Sequence, residues 1–329
     1  MEKGAFSCRQ LIVGISQMEV YCQGGSNMYL KNFNDIVEKL KKDPITKKVA
    51  IVCAEDMESI EAALKGYQDG ILEPLLIGNR DTMVRLLVEA GEEKDAFAIY
   101  EADTAPGAAA LGVKLVNEGK ADFLMKGKLE TGQLLKAVVD KETGLGIGGI
   151  MSHIALKMVP TYHKLLVSTD GGMILYPTLE QKKAIIENAV GALNKLGYER
   201  PKVGVLAAIE KVNPKMPETV DAAALKEMNQ RGEIKNCIVE GPISFDLAIC
   251  KERSVAKGYV SEVAGDVDIL VAPNITAGNI LGKCLIEMAG AKMAGLILGA
   301  KAPIVVTSRG SSREEKYFSL ALAAATSGN

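Results

Sequence analysis

Hydrophobic and polar positions along the chain follow two alternating periods, which predict helices and strands in turn. Apolar residues recur at intervals of three and four from Phe33 to Leu40, which predicts one face of a helix, and Pro44 ends the pattern. Continuous apolar runs at 49–53 and 74–77 predict buried strands. Because parallel strands need crossover connections, strands that alternate with helices indicate a parallel sheet and the α/β class.

The same two patterns predict the remaining elements. Two apolar runs around Pro160 predict an antiparallel pair of strands, and a capping box from Thr178 to Gln181 predicts the start of a long helix. We assign the strand at 203–208 to a second sheet. The other predicted strands are 97–100, 122–125, 153–159, 165–168, 237–240, 269–272, 293–298 and 304–307. The other predicted helices are 60–67, 82–90, 108–117, 219–230, one that begins near 277, and 313–325.

The length of 329 residues predicts about two domains of roughly 150 residues each. We place their boundary in the glycine-rich segment 144–149, which is typical of a hinge. Residues 28–150 together with 299–329 then form domain I, and residues 151–298 form domain II, with a ligand cleft between them. Residues 1–27 show no clear period and are predicted to be a disordered N-terminal extension.

Composition and charge exclude several classes of function. A formal net charge of −2 leaves no basic excess for a nucleic-acid backbone. No apolar run reaches the ~18 residues of a membrane helix. The only histidines, His153 and His163, exclude a histidine-rich metal site, so no metal is predicted. Six cysteines without a Cys-x-x-Cys pair indicate reduced thiols and a cytoplasmic protein.

The segment 307–312 is the sharpest local indication of chemistry. It joins a predicted strand to the last helix through small polar residues and contains Ser308 and Arg309. Backbone N–H groups and the dipole at a helix N-terminus bind phosphate, and a guanidinium adds a bidentate donor; a capped helix with a solvated arginine is the alternative. Glu315 is either a general base or, as the favoured interpretation, the acid of a capping box that begins at Ser312.

Two further strand-to-helix junctions carry candidate ligand-binding residues. Lys126 and Gly127 follow the predicted strand at 122–125, where open α/β sheets place ligands, although a solvated lysine is the more common case. The segment 273–279 lets a ligand approach its backbone at Gly278 and is equally typical of a turn and a helix cap.

Several motifs together resemble the phosphate acetyltransferase and phosphate butyryltransferase family over nearly the whole chain from about residue 28. The motifs are Met125-Lys126-Gly127, Ser152-His153, Thr169-Asp170-Gly171-Gly172-Met173, 241–246, 263–268, 273–279, 299–303 and Ser308-Arg309. The Ser-His strand, the Thr-Asp turn and the Ser-Leu-Ala-Leu-Ala ending resemble the butyryl branch more than the acetyl branch.

The resemblance implies a fold of two α/β domains like that of isocitrate and isopropylmalate dehydrogenases, with the site in the interdomain cleft. It implies that the thiolate of coenzyme A attacks an acyl phosphate in a ternary complex and that phosphate leaves. Ser308 would then stabilise the oxyanion, and Arg309 would hold the phosphate. Glu315 stands where the acetyl branch has a proposed base, and Glu314 stands where the butyryl branch has an acid, so both are candidates.

The same resemblance implies the partners and the binding residues. Acyl-CoA and inorganic phosphate would be the substrates, with coenzyme A a co-substrate rather than a bound cofactor. A homodimer or higher homo-oligomer would work together with an acyl-phosphate kinase. At Lys136 the acetyl branch carries an arginine, so its bidentate contact is not carried over. The predicted binding residues are Lys126, Gly127, Thr131, Lys136, Ser152, His153, Asp170, Asn274, Gly278 and Asn279.

The sequence leaves three functions open. The first is acyl transfer with a butanoyl or an acetyl group, where pocket shape decides the chain length because one methylene changes binding by only ~1–3 kcal/mol. The second is a metal-dependent dehydrogenase of the same fold, which the absence of arginine between Arg85 and Arg200 disfavours. The third is a non-catalytic protein that binds coenzyme A or an acyl phosphate.

Overall fold

The structure, a computed structural model, describes residues 29–308 and 310–328. These residues form eleven strands and eleven helices, which confirms the α/β class. The strands are β1 (Lys47–Val52), β2 (Leu72–Gly78), β3 (Ala98–Glu101), β4 (Phe123–Lys126), β5 (Ser152–Met158), β6 (Leu166–Thr169), β7 (Lys202–Leu206), β8 (Ile238–Ile243), β9 (Ile269–Val271), β10 (Lys292–Leu298) and β11 (Ile304–Val305). The predicted extension, residues 1–27, and Arg309 lie outside the described residues.

The helices fall between the strands, as the alternating pattern predicts. Three of them, α5, α8 and α9, have no counterpart among the helices predicted from periodicity. In chain order the helices are α1 (Phe33–Lys41), α2 (Met57–Gln68), α3 (Arg80–Glu89), α4 (Ala105–Asn117), α5 (Thr131–Val138), α6 (Leu179–Lys195), α7 (Pro217–Gln230), α8 (Phe245–Ile249), α9 (Lys251–Ala256), α10 (Ile275–Glu287) and α11 (Arg313–Thr326).

All eleven strands belong to one hydrogen-bonded sheet, in the order β3-β2-β1-β4-β11-β10-β5-β6-β9-β7-β8. The first five strands of this order run parallel, and so do the last four. Between them β10 and β5 pair antiparallel with each other and with their outer neighbours. The two parallel blocks therefore run in opposite directions, and their carboxyl ends lie at opposite edges of the sheet.

The prediction of a second sheet at 203–208 is wrong. β7 pairs with β9, β9 pairs with β6, and β6 continues through β5 and β10 to the N-terminal strands. An apolar run shows that a strand is buried but not which strands its backbone edges will bond, so periodicity could not place β7. The antiparallel pairing of β5 and β6 around Pro160 is confirmed. The division into domains I and II stays a prediction.

The first and the last helix of the described chain pack on the same face of the sheet. Phe33 on α1 stacks on Phe318 on α11 with ring centroids 4.7 Å apart. β11 pairs with β4, so the chain returns to the N-terminal strands just before α11 begins. This return places the segment 306–312 beside the carboxyl end of β4. In the described part of the chain, no helix combines the length and the apolar character needed to cross a membrane.

Candidate active site

A cavity of about 490 Å³ opens at the carboxyl edge of β4 and β11. It brings together three of the predicted site residues: the neighbours Lys126 and Gly127, and Ser308 from a distant position in the chain. A larger groove of about 660 Å³ lies between α1, α2 and α11, and of the predicted residues it contains Glu314 alone. We take the smaller cavity as the candidate site, because it gathers three predicted site residues and the larger groove contains one.

Lys126 is buried at the end of β4, with 5% of its surface exposed. Its Nζ donates to the carbonyl oxygens of Gly127 at 3.1 Å and of Leu129 at 3.2 Å, which fixes the turn that lines the cavity. The common alternative for such a residue, a solvated lysine, is therefore wrong here. A buried ammonium near the cavity favours an anionic ligand.

Gly127 is required by the close approach of two turns. A Cβ atom at this position would lie 2.2 Å from the carbonyl oxygen of Cys53, which follows β1. The N–H of Gly127 donates to the carbonyl of Val52 at 2.8 Å, and the N–H of Lys128 donates to the carbonyl of Cys53 at 2.7 Å. The glycine thus lets the turn after β4 pack directly on the turn after β1.

Ser308 lies in a tight turn just before α11. Its N–H donates to Ser311 Oγ at 3.1 Å, and the two hydroxyl oxygens are 3.2 Å apart. Ser308 is exposed and lines the cavity, while Ser311 is 5% exposed. Arg309, the predicted phosphate ligand, lies outside the described residues, so its role stays a prediction.

Glu315 contributes its carboxylate to this turn rather than to a reciprocal capping box. The cap itself is present, since Ser312 Oγ accepts from the N–H of Glu315 at 3.2 Å. The Glu315 carboxylate accepts a hydrogen bond from Ser311 Oγ at 2.7 Å. Burial raises the pKa of Glu315 above its ordinary value, although Ser311 and the charge of Lys316 oppose the change.

Glu314, the other candidate base, points to a different place. Its carboxylate lies 2.7 Å from Lys292 Nζ, and both side chains are half exposed. It borders the larger groove but not the cavity that Ser308 lines. Of the two carboxylates, it is that of Glu315 that contacts the turn of Ser308, through Ser311.

Two charged residues that line the cavity escaped the sequence analysis. Lys316 Nζ lies 2.5 Å from Asp56 Oδ1 and 3.0 Å from Ser59 Oγ, and Lys316 and Asp56 both line the cavity. Burial would raise the pKa of Asp56, but hydrogen bonds and charge from Lys316 outweigh it and hold the pKa below its ordinary value. Asp56 and Lys316 lie 260 positions apart, so no local motif could have joined them.

The predicted residues of the second half of the chain form a separate group around the carboxyl ends of β6 and β9. Asp170 lies in it with 2% of its surface exposed. Its carboxylate accepts from the backbone N–H groups of Gly172 at 2.7 Å, Met173 at 2.9 Å and Ile174 at 3.2 Å, and from that of His153 at 3.3 Å. These bonds shape the turn after β6, so the structure gives Asp170 a structural role.

The start of α10 packs against this turn. Asn274 is the N-cap and accepts from the N–H of Ala277 at 3.0 Å, which is the turn-and-cap interpretation of the segment. A Cβ atom on Gly278 would lie 2.7 Å from the carbonyl oxygen of Asp170. Asn279 donates to the carbonyl oxygen of Gly171 at 3.2 Å. Gly278 and Asn279 therefore hold the start of α10 against the turn after β6, while Asn274 caps its own helix.

Ser152 and His153 begin β5 beside that turn. Ser152 is fully buried and accepts from Asn188 Nδ2 at 2.9 Å. Burial lowers the pKa of His153 to about 4; the charge of Asp170 opposes the change and that of Lys157 adds to it, so the imidazole is neutral at pH 7.

The sheet register sets the distance between the two groups. Leu124 pairs with Ile304, Ile304 with Ile297, and Ile297 with His153. His153 is thus level with β4 but three strands away, which is about 14 Å at the usual strand spacing. The turns after β6 and β9 lie further off, because those strands run opposite to β4. Thr131 and Lys136 lie on α5. Neither lines the cavity, and Lys136 is exposed.

The sequence of the chain is similar to that of known proteins over most of its length. A model of the phosphate acetyl/butaryl transferase family matches residues 104–324. The chain belongs to this family. It is 40% identical over 300 residues to a phosphate butyryltransferase of Clostridium acetobutylicum, covering 91% of this chain and 99% of that protein. It is 44% identical over 278 residues to a phosphate acetyltransferase of Thermotoga maritima, covering 84% and 94%.

Solved structures support the same assignment. A branched-chain phosphotransacylase from Enterococcus faecalis V583 superposes with a TM-score of 0.75 at 32% identity, covering 85% of this chain and 99% of that one. A 4-hydroxythreonine-4-phosphate dehydrogenase from Klebsiella pneumoniae shares the fold with a TM-score of 0.52 at 14% identity, over 84% of this chain and 98% of that one. The fold is therefore dehydrogenase-like, as the resemblance implies. Among the described residues, no group of three or more His, Cys, Asp or Glu side chains is arranged to hold a metal ion.

Proposed function

We propose that this protein reversibly transfers a short acyl group between coenzyme A and inorganic phosphate, with butanoyl-CoA and phosphate giving butanoyl phosphate and coenzyme A. The observation that carries the proposal is the cavity where Ser308 meets the turn of Lys126 at the N-terminal end of α11. An exposed hydroxyl, a buried ammonium and a helix N-terminus suit an acyl phosphate. The relative from Clostridium acetobutylicum, named for the butanoyl reaction, supports it.

The chemistry is a direct displacement at the acyl carbon. The thiolate of coenzyme A attacks the carbonyl, the carbon–sulfur bond forms, and the carbon–oxygen bond to phosphate breaks. Negative charge develops on the carbonyl oxygen, where the Ser308 hydroxyl can donate a hydrogen bond. We assign three groups to the binding of phosphate. They are the turn that Lys126 fixes, the N–H groups before α11, and Arg309. Coenzyme A enters as a co-substrate.

The second candidate is the same reaction with an acetyl group, because the relative from Thermotoga maritima is named a phosphate acetyltransferase.

The proposed acyl-CoA substrate indicates a cytoplasmic enzyme, and its acyl phosphate product must be consumed by an acyl-phosphate kinase. We also assign a homodimer or higher homo-oligomer, which the exposed Ile280 on α10 and Met288 directly after it support. Light scattering on the purified protein tests the oligomer.

The decisive experiment is release of free thiol from acyl-CoA in the presence of phosphate. Acetyl-, butanoyl- and branched acyl-CoA are compared by kcat/KM, with the assay lacking phosphate as the control. We expect thiol release that requires phosphate and is fastest with butanoyl-CoA. A preference for acetyl-CoA would select the second candidate. Tight binding of coenzyme A without thiol release from any substrate of two to five carbons would reject acyl transfer in favour of a binding protein.

A further inference from the structure

The turn before α11 links the cavity to a carboxylate through one buried hydroxyl. Ser311 Oγ lies 3.2 Å from Ser308 Oγ on one side and 2.7 Å from Glu315 Oε1 on the other. It also accepts from the N–H of Ser308 at 3.1 Å. Ser308 is exposed to the cavity, Ser311 is buried and Glu315 is half buried. The three side chains thus form a continuous path from the cavity into the protein.

The direction of the hydrogen bonds in this path follows from the ionised carboxylate. A carboxylate only accepts, so Ser311 must donate its single proton to Glu315. The lone pairs of Ser311 Oγ are then occupied by the N–H and the hydroxyl of Ser308. Ser308 is the donor in the contact between the two hydroxyls, and its own lone pairs face the cavity. In the resting site Ser308 is therefore a proton acceptor toward a bound ligand.

Building on the acyl transfer proposed above, we propose that Ser311 is a positioning residue that connects Ser308 to Glu315 in a proton relay. When acyl-CoA forms, the thiol S–H bond breaks and its proton passes to Ser308 Oγ. Ser308 passes its own proton to Ser311, and Ser311 passes its proton to Glu315. The hydroxyl of Ser308 now carries the thiol proton and points into the cavity, where it donates to the carbonyl oxygen as negative charge develops.

The proton and electrons balance over the whole reaction. The electron pair of sulfur forms the carbon–sulfur bond, and the pair of the carbon–oxygen bond leaves on the phosphate. The proton held by Glu315 returns along the relay to that phosphate, so no other reactant is required. Among the described residues, the charged groups around Glu315 are Glu314 and Lys316 on α11 and Lys292 on β10. The raised pKa of Glu315, which burial causes, suits a terminal proton acceptor.

Five variants test the relay: Ser311→Ala, Ser311→Thr, Glu315→Gln, the double variant of Ser311→Ala with Glu315→Gln, and Ser312→Ala as the matched control. Ser312 is the adjacent serine, and its hydroxyl caps the backbone of Glu315 rather than its carboxylate. The rate of thiol consumption by butanoyl phosphate and coenzyme A is measured from pH 5 to pH 9, with Tm measured for each variant.

Positioned proton transfer typically contributes 10²–10⁴-fold, so we expect kcat to fall about 100-fold in Ser311→Ala and in Glu315→Gln. The double variant should fall no further than the worse single variant, and both single variants should lose the acid limb of the wild-type pH profile. Ser311→Thr keeps the hydroxyl and should restore most of kcat. Ser312→Ala should lower Tm and leave kcat within twofold.

The relay is wrong if Ser311→Ala keeps the wild-type kcat and acid limb, which would leave Glu315 acting directly or not at all. It is also wrong if the loss in the double variant equals the product of the two single losses. Glu315→Gln preserves the shape of the side chain, so an unchanged kcat and pH profile in this variant would also overturn the relay, even if Ser311→Ala folds poorly. A wild-type protein without turnover would instead overturn the proposed function, and the relay with it.

Discussion

Two turns in this molecule contain the same kinds of residue but use them differently. The turn after β11 places Ser308 at a cavity, with Ser311 and Glu315 behind it. In the turn after β6, Asp170 accepts four backbone N–H groups. Both are small polar segments at the carboxyl ends of strands, and both matched the family motifs. One exposes a hydroxyl to a cavity, and the other holds its own backbone.

The difference shows how a polar motif after a strand should be judged. Buried polar groups must be hydrogen-bonded, and a carboxylate that satisfies several backbone donors has little capacity left for a ligand. The carboxylate of Asp170 is used in this way. Ser308 keeps part of its hydrogen-bonding capacity for the cavity, because Ser311 engages only one side of its hydroxyl. Family resemblance marks both turns. The hydrogen bonds within each turn show which one leaves a polar group available to a cavity.

The largest expected effect is on catalysis at the first turn. Ser308→Ala should lower kcat about 10²- to 10³-fold with a smaller change in KM, because in the proposed reaction its hydroxyl acts mainly in the transition state. Asn279→Ala at the other turn is the comparison, and its kcat should stay within a few fold of wild type. Steady-state kinetics in both directions measure this. Equal losses in the two variants would remove the distinction between the turns.

The next effect is on the stability of the second turn. Asp170→Ala leaves buried N–H groups without an acceptor, so the free energy of unfolding should fall by about 3 kcal/mol. Asp170→Asn keeps one acceptor oxygen and should lose less. Urea denaturation measures both variants. Full stability together with a raised KM for either substrate would show that Asp170 binds substrate after all.

A smaller effect is expected beside the cavity and depends on pH. Asp56→Asn breaks the ion pair with Lys316, in which Asp56 is 18% exposed, and should cost about 2 kcal/mol at pH 7. The folded pKa of Asp56 lies below its ordinary value of 3.8, so the ionised group stabilises the protein above that pH. The stability difference between wild type and variant should shrink as pH falls below about 4.

Urea denaturation at pH 7 and at pH 3 checks this dependence. Glu73→Gln is the matched control, because the pair of Glu73 with Lys48 is about half exposed on both sides and should contribute little. A difference between wild type and Asp56→Asn that stays constant across this range would contradict the assignment of the lowered pKa to Lys316.

The smallest effect separates the two candidate bases. Glu314→Gln removes an exposed contact with Lys292, so the free energy of unfolding should change by less than about 0.5 kcal/mol and kcat by less than twofold. Steady-state kinetics of Glu314→Gln and Glu315→Gln, compared under the same conditions, measure the change in kcat. A large loss of kcat in Glu314→Gln, with little in Glu315→Gln, would identify Glu314 rather than Glu315 as the base.

Local pattern alone predicted most of the elements. The helical face from Phe33 to Leu40, the capping box at Thr178 and the antiparallel pair around Pro160 all appear as predicted. Each depends on residues close together in the chain, where side-chain period and capping chemistry act directly. The candidate residues Lys126, Gly127 and Ser308 were also found from the sequence, because strand ends and family motifs mark them.

Only the tertiary structure decided how those pieces work together. It joined β7 to the main sheet, brought Lys316 to Asp56, buried Lys126, and turned the carboxylate of Glu315 to Ser311. The physical reason is that strand pairing and the burial of charge depend on residues distant in sequence. The local sequence pattern of a capping box, or of a lysine after a strand, is the same whether the side chain is solvated or lies at a buried site. The surrounding packing determines which of the two it is.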